Sequence, residues 1–585
     1  MTNKIKELLD SYPKPLAAIG SPSDSFEITL DILGNSTESK ILGEFVYFQS
    51  VENNENIVSL GQITEVMTSN KWHEEPSFKA VIKRHGSLPH LSREADNRIA
   101  TLNVQSTFKV ISDTEVKAHK LSNSPSTGMK ISGMTNEIMD ALIGPLCADY
   151  KTEILGRAYD TVVNIPFWFK HFGKEYNGAG DAYHIGVFGK TGSGKTTTAA
   201  RMIAGYATNH SHMSFLILDP QGQFFNDNDV LPKHEKFRGA LEQRGINPEH
   251  YKPILIPKDI ALPDSPELFS EFLISSGFIR YFFAITTEEK IQLMADAIED
   301  YLWGRYNNPS FKLSNQNHIK LLNEIITRFT SLEGDAEKEA KCSRFISMVY
   351  AKGGPRTNLQ LRLSNIAEQL NKQQYAEFKK EINTFEEVLK LFQSESGNNV
   401  DSMVEDILTK KGFVYIINLS EQANKNFRNE NVQAKLIDVI LNKVIERAEL
   451  LAFDGNKANC LIVMDEAHRY VNSTASDERL KQLNKRIIDS VRTVRKYGIG
   501  HMFITQTIES IDQEVIQQMR IFAFGYGLTM GGEFSKIKQI INDDNAAKFY
   551  RSFIDPSSNG KYPFMFHGPI SPLSFTGSPL FIEMN

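Results

Sequence analysis

Hydrophobic and polar positions follow two different rhythms along this chain, and the change of rhythm divides it. Up to about residue 120 the period is two. Phe26-Glu27-Ile28-Thr29-Leu30-Asp31-Ile32 alternates, and Gly43-Glu44-Phe45-Val46-Tyr47-Phe48 and Ile57-Val58-Ser59-Leu60-Gly61-Gln62-Ile63 follow, with Asn- and Gly-rich turns between them. Alternation puts every second side chain on one face of a strand. Short strands at regular spacing predict a small β-barrel. The Ser-, Pro- and Gly-rich stretch from Leu121 to Gly133 reads as an exposed loop.

From about Tyr183 the pattern becomes short apolar runs separated by helical stretches. The runs are Tyr183 to Phe188, Ser214 to Asp219, Phe413 to Ile417, Cys460 to Met464, Ile499 to Thr505 and Ile521 to Tyr526. A run apolar on both faces suits a parallel strand covered by helices on each side. Residues 225–400 read as mostly helical. There Thr286-Thr287-Glu288-Glu289 fits a capping box, and Ile291, Met294, Ala295, Ile298 and Leu302 share one helix face as core. Val432, Leu436, Ile440 and Val444 form a second such face.

Length and composition change this picture little. A chain of 585 residues accommodates two to four domains. Apolar residues at 41% and charged residues at 23% are ordinary for a globular protein with a large core. The net charge of −6 argues against a surface coated in basic residues for nucleic acid, but leaves room for a local basic channel. No run reaches eighteen apolar residues, and Met1-Thr2-Asn3-Lys4-Ile5-Lys6-Glu7-Leu8 has no signal-peptide pattern. A cytoplasmic protein without a membrane partner is the expectation. Cys147, Cys342 and Cys460 are widely spaced and read as reduced structural thiols.

The candidate chemistry lies where the strands end. Gly189-Lys190-Thr191-Gly192-Ser193-Gly194-Lys195-Thr196 fits the phosphate-binding pattern G-x-x-x-x-G-K-[ST] and sits between a strand and a helix that begins at Thr197. Glycines let successive backbone N–H groups turn toward phosphate oxygens, and the helix N-terminus adds partial positive charge. Lys195 can reach the β- and γ-phosphates of ATP, and Thr196 can offer its hydroxyl to Mg²⁺. After the apolar run 460–464 come Asp465 and Glu466. An acid at the C-terminal end of a buried strand is where α/β sheets place ligands. Asp465 would hold Mg²⁺ and Glu466 would orient or deprotonate the attacking water. The same pair could instead cap the next helix.

Taken in order, Leu155-Gly156-Arg157, the phosphate loop, Asp219-Pro220-Gln221-Gly222-Gln223-Phe224, Asp465-Glu466-Ala467-His468, Arg495-Lys496-Tyr497-Gly498 and Thr505-Gln506 form a recognisable set. With a barrel in front, the chain resembles the HerA branch of the FtsK–HerA ATPases. The resemblance implies an α/β fold with a RecA-like P-loop ATPase core. It implies a barrel domain over residues 1–150, a core over 151–225 and 400–560, a helical insertion over 226–399, and a C-terminal extension over 561–585 near the ATP site. It further implies a homo-hexameric ring that moves DNA with ATP and Mg²⁺, beside a partner nuclease or an antiviral effector. By position Arg495 matches an arginine that reaches into a neighbour's ATP site, with Arg492 a second candidate; a surface ion pair is the alternative for either. Gln506 would sense the γ-phosphate or simply close the turn after its strand.

Two positions depart from the family pattern. Gln223 stands where an acid is common, and Thr507-Ile508 replaces a basic residue and proline. An amide cannot act as a base, so position 223 inherits no catalytic role. Candidate DNA contacts are Lys352-Gly353-Gly354-Pro355-Arg356, Lys410-Lys411 and Lys485-Arg486, although solvated surface charge is the favoured reading of each taken singly. Two other functions fit the same motifs: an assembly platform that regulates a partner effector with ATP turnover as its switch, and a secretion or conjugation motor.

Overall fold

The computed structural model describes all of the chain except residues 1–3, 12–14, 174–177, 228–229, 232–234, 305–310, 332–342, 375, 473–477, 575–576 and 585, and except the side chains of 478 and 479. The alternating N-terminal segment closes into a ring of six strands. These are β1 (Ala17–Ile19), β2 (Glu27–Ile32), β3 (Phe45–Glu52), β4 (Glu55–Ser69), β5 (Asn97–Ser112) and β7 (Lys130–Gly133), and β6 (Glu115–His119) pairs with β5 outside the ring. The order β2-β1-β7-β3-β4-β5 returns to β2 through pairs such as Ile28 with Leu102. Inward positions fill the barrel: Ile19, Ile28, Leu30, Val46, Phe48, Ala100, Leu102 and Ile131. Residues of the opposite parity, Phe45, Tyr47, Val58 and Leu60, pack in the core shared with the larger domain. Period two thus builds a barrel with two uses for its two faces.

The stretch expected as an exposed loop contains β7, which closes the ring between β1 and β3 and buries Ile131. Most of its Ser, Pro and Gly content lies in the approach, Leu121 to Gly128, and Ser132 and Gly133 belong to the strand itself, so composition masks a four-residue strand. Cys147 and Cys460 are buried free thiols, pushed up to about 11 and about 12 by burial, and Cys342 lies outside the described residues.

The second sheet has eleven strands. Seven run parallel in the order β12 (Tyr251–Ile254), β13 (Val414–Asn418), β11 (Ser214–Asp219), β14 (Cys460–Met464), β15 (Ile499–Thr505), β10 (His184–Phe188) and β16 (Met519–Gly525). Four antiparallel strands continue it: β17 (Tyr562–His567), β18 (Leu580–Met584), β8 (Thr152–Ala158) and β9 (Asn164–Trp168). The apolar runs divide between two cores by parity. Leu461, Val463, Val414 and Ile416 face one, while Cys460, Ile462, Met464, Tyr415 and Ile417 face the other. The second core is continuous with the helices of residues 266–409, including Ile291, Met294 and Ile298. Within the stretch read as helical, Tyr251–Ile254 adds an edge strand.

The capping box does not form. The helix Glu288–Trp303 starts one residue late, with Thr287 as its N-cap and no side-chain cap bond. Its N3 position is then Lys290, which cannot accept, while Glu288 is drawn to Arg280.

Candidate functional site

Four of the six quoted sequence elements arrive at one edge of the sheet because β10, β11, β14 and β15 are parallel neighbours and each of these motifs follows its strand's C-terminal end. Between β10 and the helix Lys195–Ala207, residues 189–194 form the phosphate loop. Gly189 N–H is tied to Thr505 O at 3.3 Å and Lys190 N–H to Tyr526 O at 3.2 Å, which anchors the loop on β15 and on the residue after β16. Gly194 has φ +85°, and a Cβ there would lie 2.5 Å from the Tyr562 ring, so both conformation and space demand glycine.

A cavity of about 550 Å³ opens over this loop. Thr191, Gly192, Gly194, Lys195, Thr196 and Thr197 line it from the loop and helix, and Asp465, Glu466 and Gln506 from the neighbouring strands. Of the remaining loop residues, Gly189 and Lys190 support the turn, and Ser193 is buried beneath it. Lys195 Nζ donates to Lys190 O at 3.1 Å; burial lowers its pKa, and Glu466 and Asp465 oppose that shift.

Asp465 is almost fully buried at the end of β14. Burial, Asp219 and Glu466 together raise its carboxyl to about 7. Its Oδ2 has no hydrogen-bond partner. A buried, orphaned carboxylate oxygen on the same cavity as the Thr196 hydroxyl is the kind of donor set a divalent cation completes. Asp219 is buried too, but its oxygens accept from Gln223 N–H at 3.1 Å and Phe225 N–H at 2.8 Å, so it holds its own turn.

Glu466 begins the turn after β14 with φ +49°, a left-handed conformation that costs free energy in a non-glycine residue. Its Oε1 accepts from Gln221 Nε2 at 2.9 Å and from Gln506 Nε2 at 3.2 Å. His468 Nδ1 lies 3.2 Å from Oε2. Gln223 Oε1 accepts from Thr196 Oγ1 at 3.0 Å. The acid pair therefore does not serve as a helix cap; the turn that follows has no side-chain cap bond.

Three residues that line the cavity carried no role in the sequence: Gln221, which stood in a quoted motif, Val230, and Tyr562 on the added strand β17, within the extension 561–585 that the resemblance placed near the ATP site without naming a residue. Only the fold brings position 562 beside position 194.

Arg495 lies outside this cavity. It sits on the turn Val494–Tyr497 that enters β15 at its N-terminal end, 4.0 Å from Asp181. The length of β15, roughly 20 Å for seven residues, separates it from the phosphate loop of the same chain. Arg492, at the end of the helix Glu478–Thr493, pairs with Glu514. Among the candidate DNA contacts, Lys411 donates to Ala458 O at 2.6 Å, Lys410 pairs with Asp406 at 2.7 Å, Arg486 bonds Asp438 and Asn442, and Arg356 donates to Ala351 O at 2.6 Å. Lys485 borders a shallow pocket with Lys481, Arg492, Asp489 and Glu514.

A parallel sheet with a phosphate loop and an acid pair at its C-terminal edge defines a domain of the P-loop ATPase type. Residues 182–444 match the family model described as "Helicase HerA, central domain". The chain is similar to the solved structure of VirB4 of Thermoanaerobacter pseudethanolicus, at 13% identity over 74% of this chain and 96% of that one, with a TM-score of 0.36. It is similar to the bacterial conjugative coupling protein TrwBdeltaN70, at 12% identity over 71% of this chain and 89% of that one, with a TM-score of 0.36. The genome packaging NTPase B204 from Sulfolobus turreted icosahedral virus 2, solved with ATP-gammaS, matches at 15% identity over 31% of this chain and 71% of that one, with a TM-score of 0.21. No curated protein matches the chain. Among the described residues no helix is long and apolar enough to cross a membrane.

Proposed function

We propose that this chain hydrolyses ATP as a subunit of a hexameric ring that moves along or opens DNA, in concert with a partner nuclease or an antiviral effector. The observation that carries the ATPase part is the convergence of Lys195, Thr196, Asp465 and Glu466 on one cavity, with the Asp465 oxygen left unpartnered. The DNA part takes its support from the HerA helicase family match over 182–444.

In this reading the N–H groups of the loop 189–196 cradle the phosphates, and Lys195 neutralises charge at the β,γ-bridge. Thr196 and Asp465 would hold Mg²⁺, which would supply positive charge to offset that of the phosphates. Glu466 accepts the proton of the water that attacks the γ-phosphorus while the bond to the β-phosphate oxygen breaks. Arg495, remote from its own cavity, serves the site of the next subunit. Gln506 spans Glu466 and Thr191 and reports the state of the γ-phosphate.

The test compares ATP binding and turnover, with and without DNA, for the native chain and Glu466→Gln. The native chain should hydrolyse ATP faster with DNA present. Glu466→Gln should bind ATP with Mg²⁺ normally and turn over on the order of 10²- to 10⁴-fold more slowly. Equal loss of binding and turnover assigns Glu466 a structural role instead. A second reading, the assembly platform, is favoured by exposed apolar side chains on the barrel, among them Phe26 at 58% and Val51 at 67% exposure. DNA-stimulated turnover with strand displacement supports the motor; dependence of a partner's activity on the ring without unwinding supports the platform.

A further inference from the structure

The carboxylate of Glu466 is the end point of two hydrogen-bond chains that both start at hydroxyls of the phosphate loop. On one side Thr191 Oγ1 donates to Gln506 Oε1 at 3.0 Å, and Gln506 Nε2 donates to Glu466 Oε1 at 3.2 Å. On the other, Thr196 Oγ1 donates to Gln223 Oε1 at 3.0 Å, Gln223 Nε2 to Gln221 Oε1 at 2.7 Å, and Gln221 Nε2 to Glu466 Oε1 at 2.9 Å. Every donor points toward the carboxylate. Such a run must end at a group that only accepts, and an ionised carboxylate is that group. Each intermediate member must accept at one atom and donate at another, which a side-chain amide does.

We propose that Gln221 is a positioning residue for Glu466, and that Gln223 fixes the orientation of Gln221 through the hydroxyl of Thr196. The inference rests on the reading of Glu466 as the group that activates water. Gln221 makes the shortest hydrogen bond to that carboxylate; the competing contacts from Gln506 are 3.2 and 3.5 Å. Both amides converge on Oε1, which pins one oxygen and leaves Oε2 beside His468. Removing Gln221 leaves the carboxylate held by one longer hydrogen-bonding partner on a backbone already in a costly conformation.

The chain of donors also gives the amide at 223 a physical reason. A carboxylate there would accept from Thr196 but could not donate to Gln221. Gln221 would then turn its NH₂ toward the new charge and present its oxygen to Glu466, placing two acceptors face to face. An acid at 223 is thus incompatible with this way of holding Glu466.

The test measures kcat and KM for ATP, with Mg²⁺, in Gln221→Ala, Gln223→Glu and the double variant, with Glu466→Gln as reference and thermal unfolding as the check on folding. Gln221→Ala should lower kcat by about 10- to 100-fold, the scale on which a misplaced catalytic group acts, with KM within about twofold. Gln223→Glu should fall in the same range, and the double variant should be no slower than the worse single variant, because both act through one contact. If Gln221→Ala keeps kcat within about twofold while Glu466→Gln is inactive, the positioning role is overturned and the reading of Glu466 stands. If Glu466→Gln itself turns over normally, that reading fails and takes this inference with it. Fully additive losses in the double variant overturn the part assigned to Gln223. A lowered unfolding temperature with kcat and KM changed together, in both single variants, assigns the glutamines to the fold rather than to Glu466.

Discussion

At the scale of single residues, the cavity separates groups that hold their own backbone from groups left unsatisfied. Asp219 and Asp465 both end buried strands, yet Asp219 spends both oxygens on N–H groups of its turn, and Asp465 keeps one oxygen orphaned. That difference marks which acid is available to a cation. Lys195 is half-buried, its ammonium destabilised by burial and supported by Glu466 and Asp465. Replacing it by alanine removes the charge that the phosphates would meet while leaving the apolar sides of the helix Lys195–Ala207 unchanged. Lys195→Ala should therefore abolish ATP turnover with little change in unfolding temperature. Near-normal hydrolysis in that variant would refute the phosphate-loop assignment.

At the scale of elements, the parallel strands do more than carry motifs. His184 on β10 and His501 on β15 are buried side by side, ring centroids 5.3 Å apart. His184 donates from Nε2 to Val491 O at 2.9 Å and accepts at Nδ1 from His501 N–H at 3.2 Å, so both nitrogens are used by the neutral ring. Burial lowers it to about 4, with the Val491 carbonyl opposing and Arg495 adding to the shift. Burial, with His184 adding, also holds His501 well below its ordinary value. The unfolded chain binds a proton at His184 that the folded chain refuses between about pH 6.5 and 4, so stability is full above this window and falls as pH drops through it. The loss attributable to His184 is about 3 kcal/mol at most. Unfolding temperature followed from pH 7 to 4.5 should fall less steeply in His184→Asn than in the native chain, even if the variant starts lower. Parallel slopes in the two would remove His184 from the acid response.

At the scale of the whole molecule, the barrel and the sheet are joined through the C-terminal strands. Gln105 of β5 donates to Pro579 O at 2.7 Å and Asn103 donates to Asp543 at 2.6 Å, while β18 pairs with β8. Arg495 belongs to this scale as well, because no single subunit brings it near its own cavity. Arg495→Ala should lose about 10³-fold or more of turnover while each subunit still binds ATP. Rings that mix Arg495→Ala with Glu466→Gln subunits should recover activity at interfaces where the first supplies Glu466 and the second supplies Arg495. Demonstrated subunit exchange with no recovery removes either the action across the interface or the independent firing of sites. A monomer with full ATPase activity removes the ring mechanism outright.

What the sequence by itself determined is local: alternation in the barrel strands, doubly apolar runs in the sheet, the phosphate loop and the acid pair are each written in a short stretch of neighbouring residues. These sufficed for the fold class and for the HerA-type resemblance that the 182–444 match bears out. Tertiary structure decided the rest. The strand Lys130–Gly133 forms because two barrel edges need a partner, against a stretch that locally reads as a loop. The helix Glu288–Trp303 starts one residue later than the capping box requires, with Thr287 as its N-cap and Lys290, which cannot accept, at N3. Tyr562 reaches Gly194, and Gln221 reaches Glu466, across separations of hundreds of residues that no local pattern encodes. A period or a motif records what one segment requires of its own backbone. Which oxygen stays unpaired, and which amide turns toward it, depends on groups that meet only when the parallel strands bring their ends together.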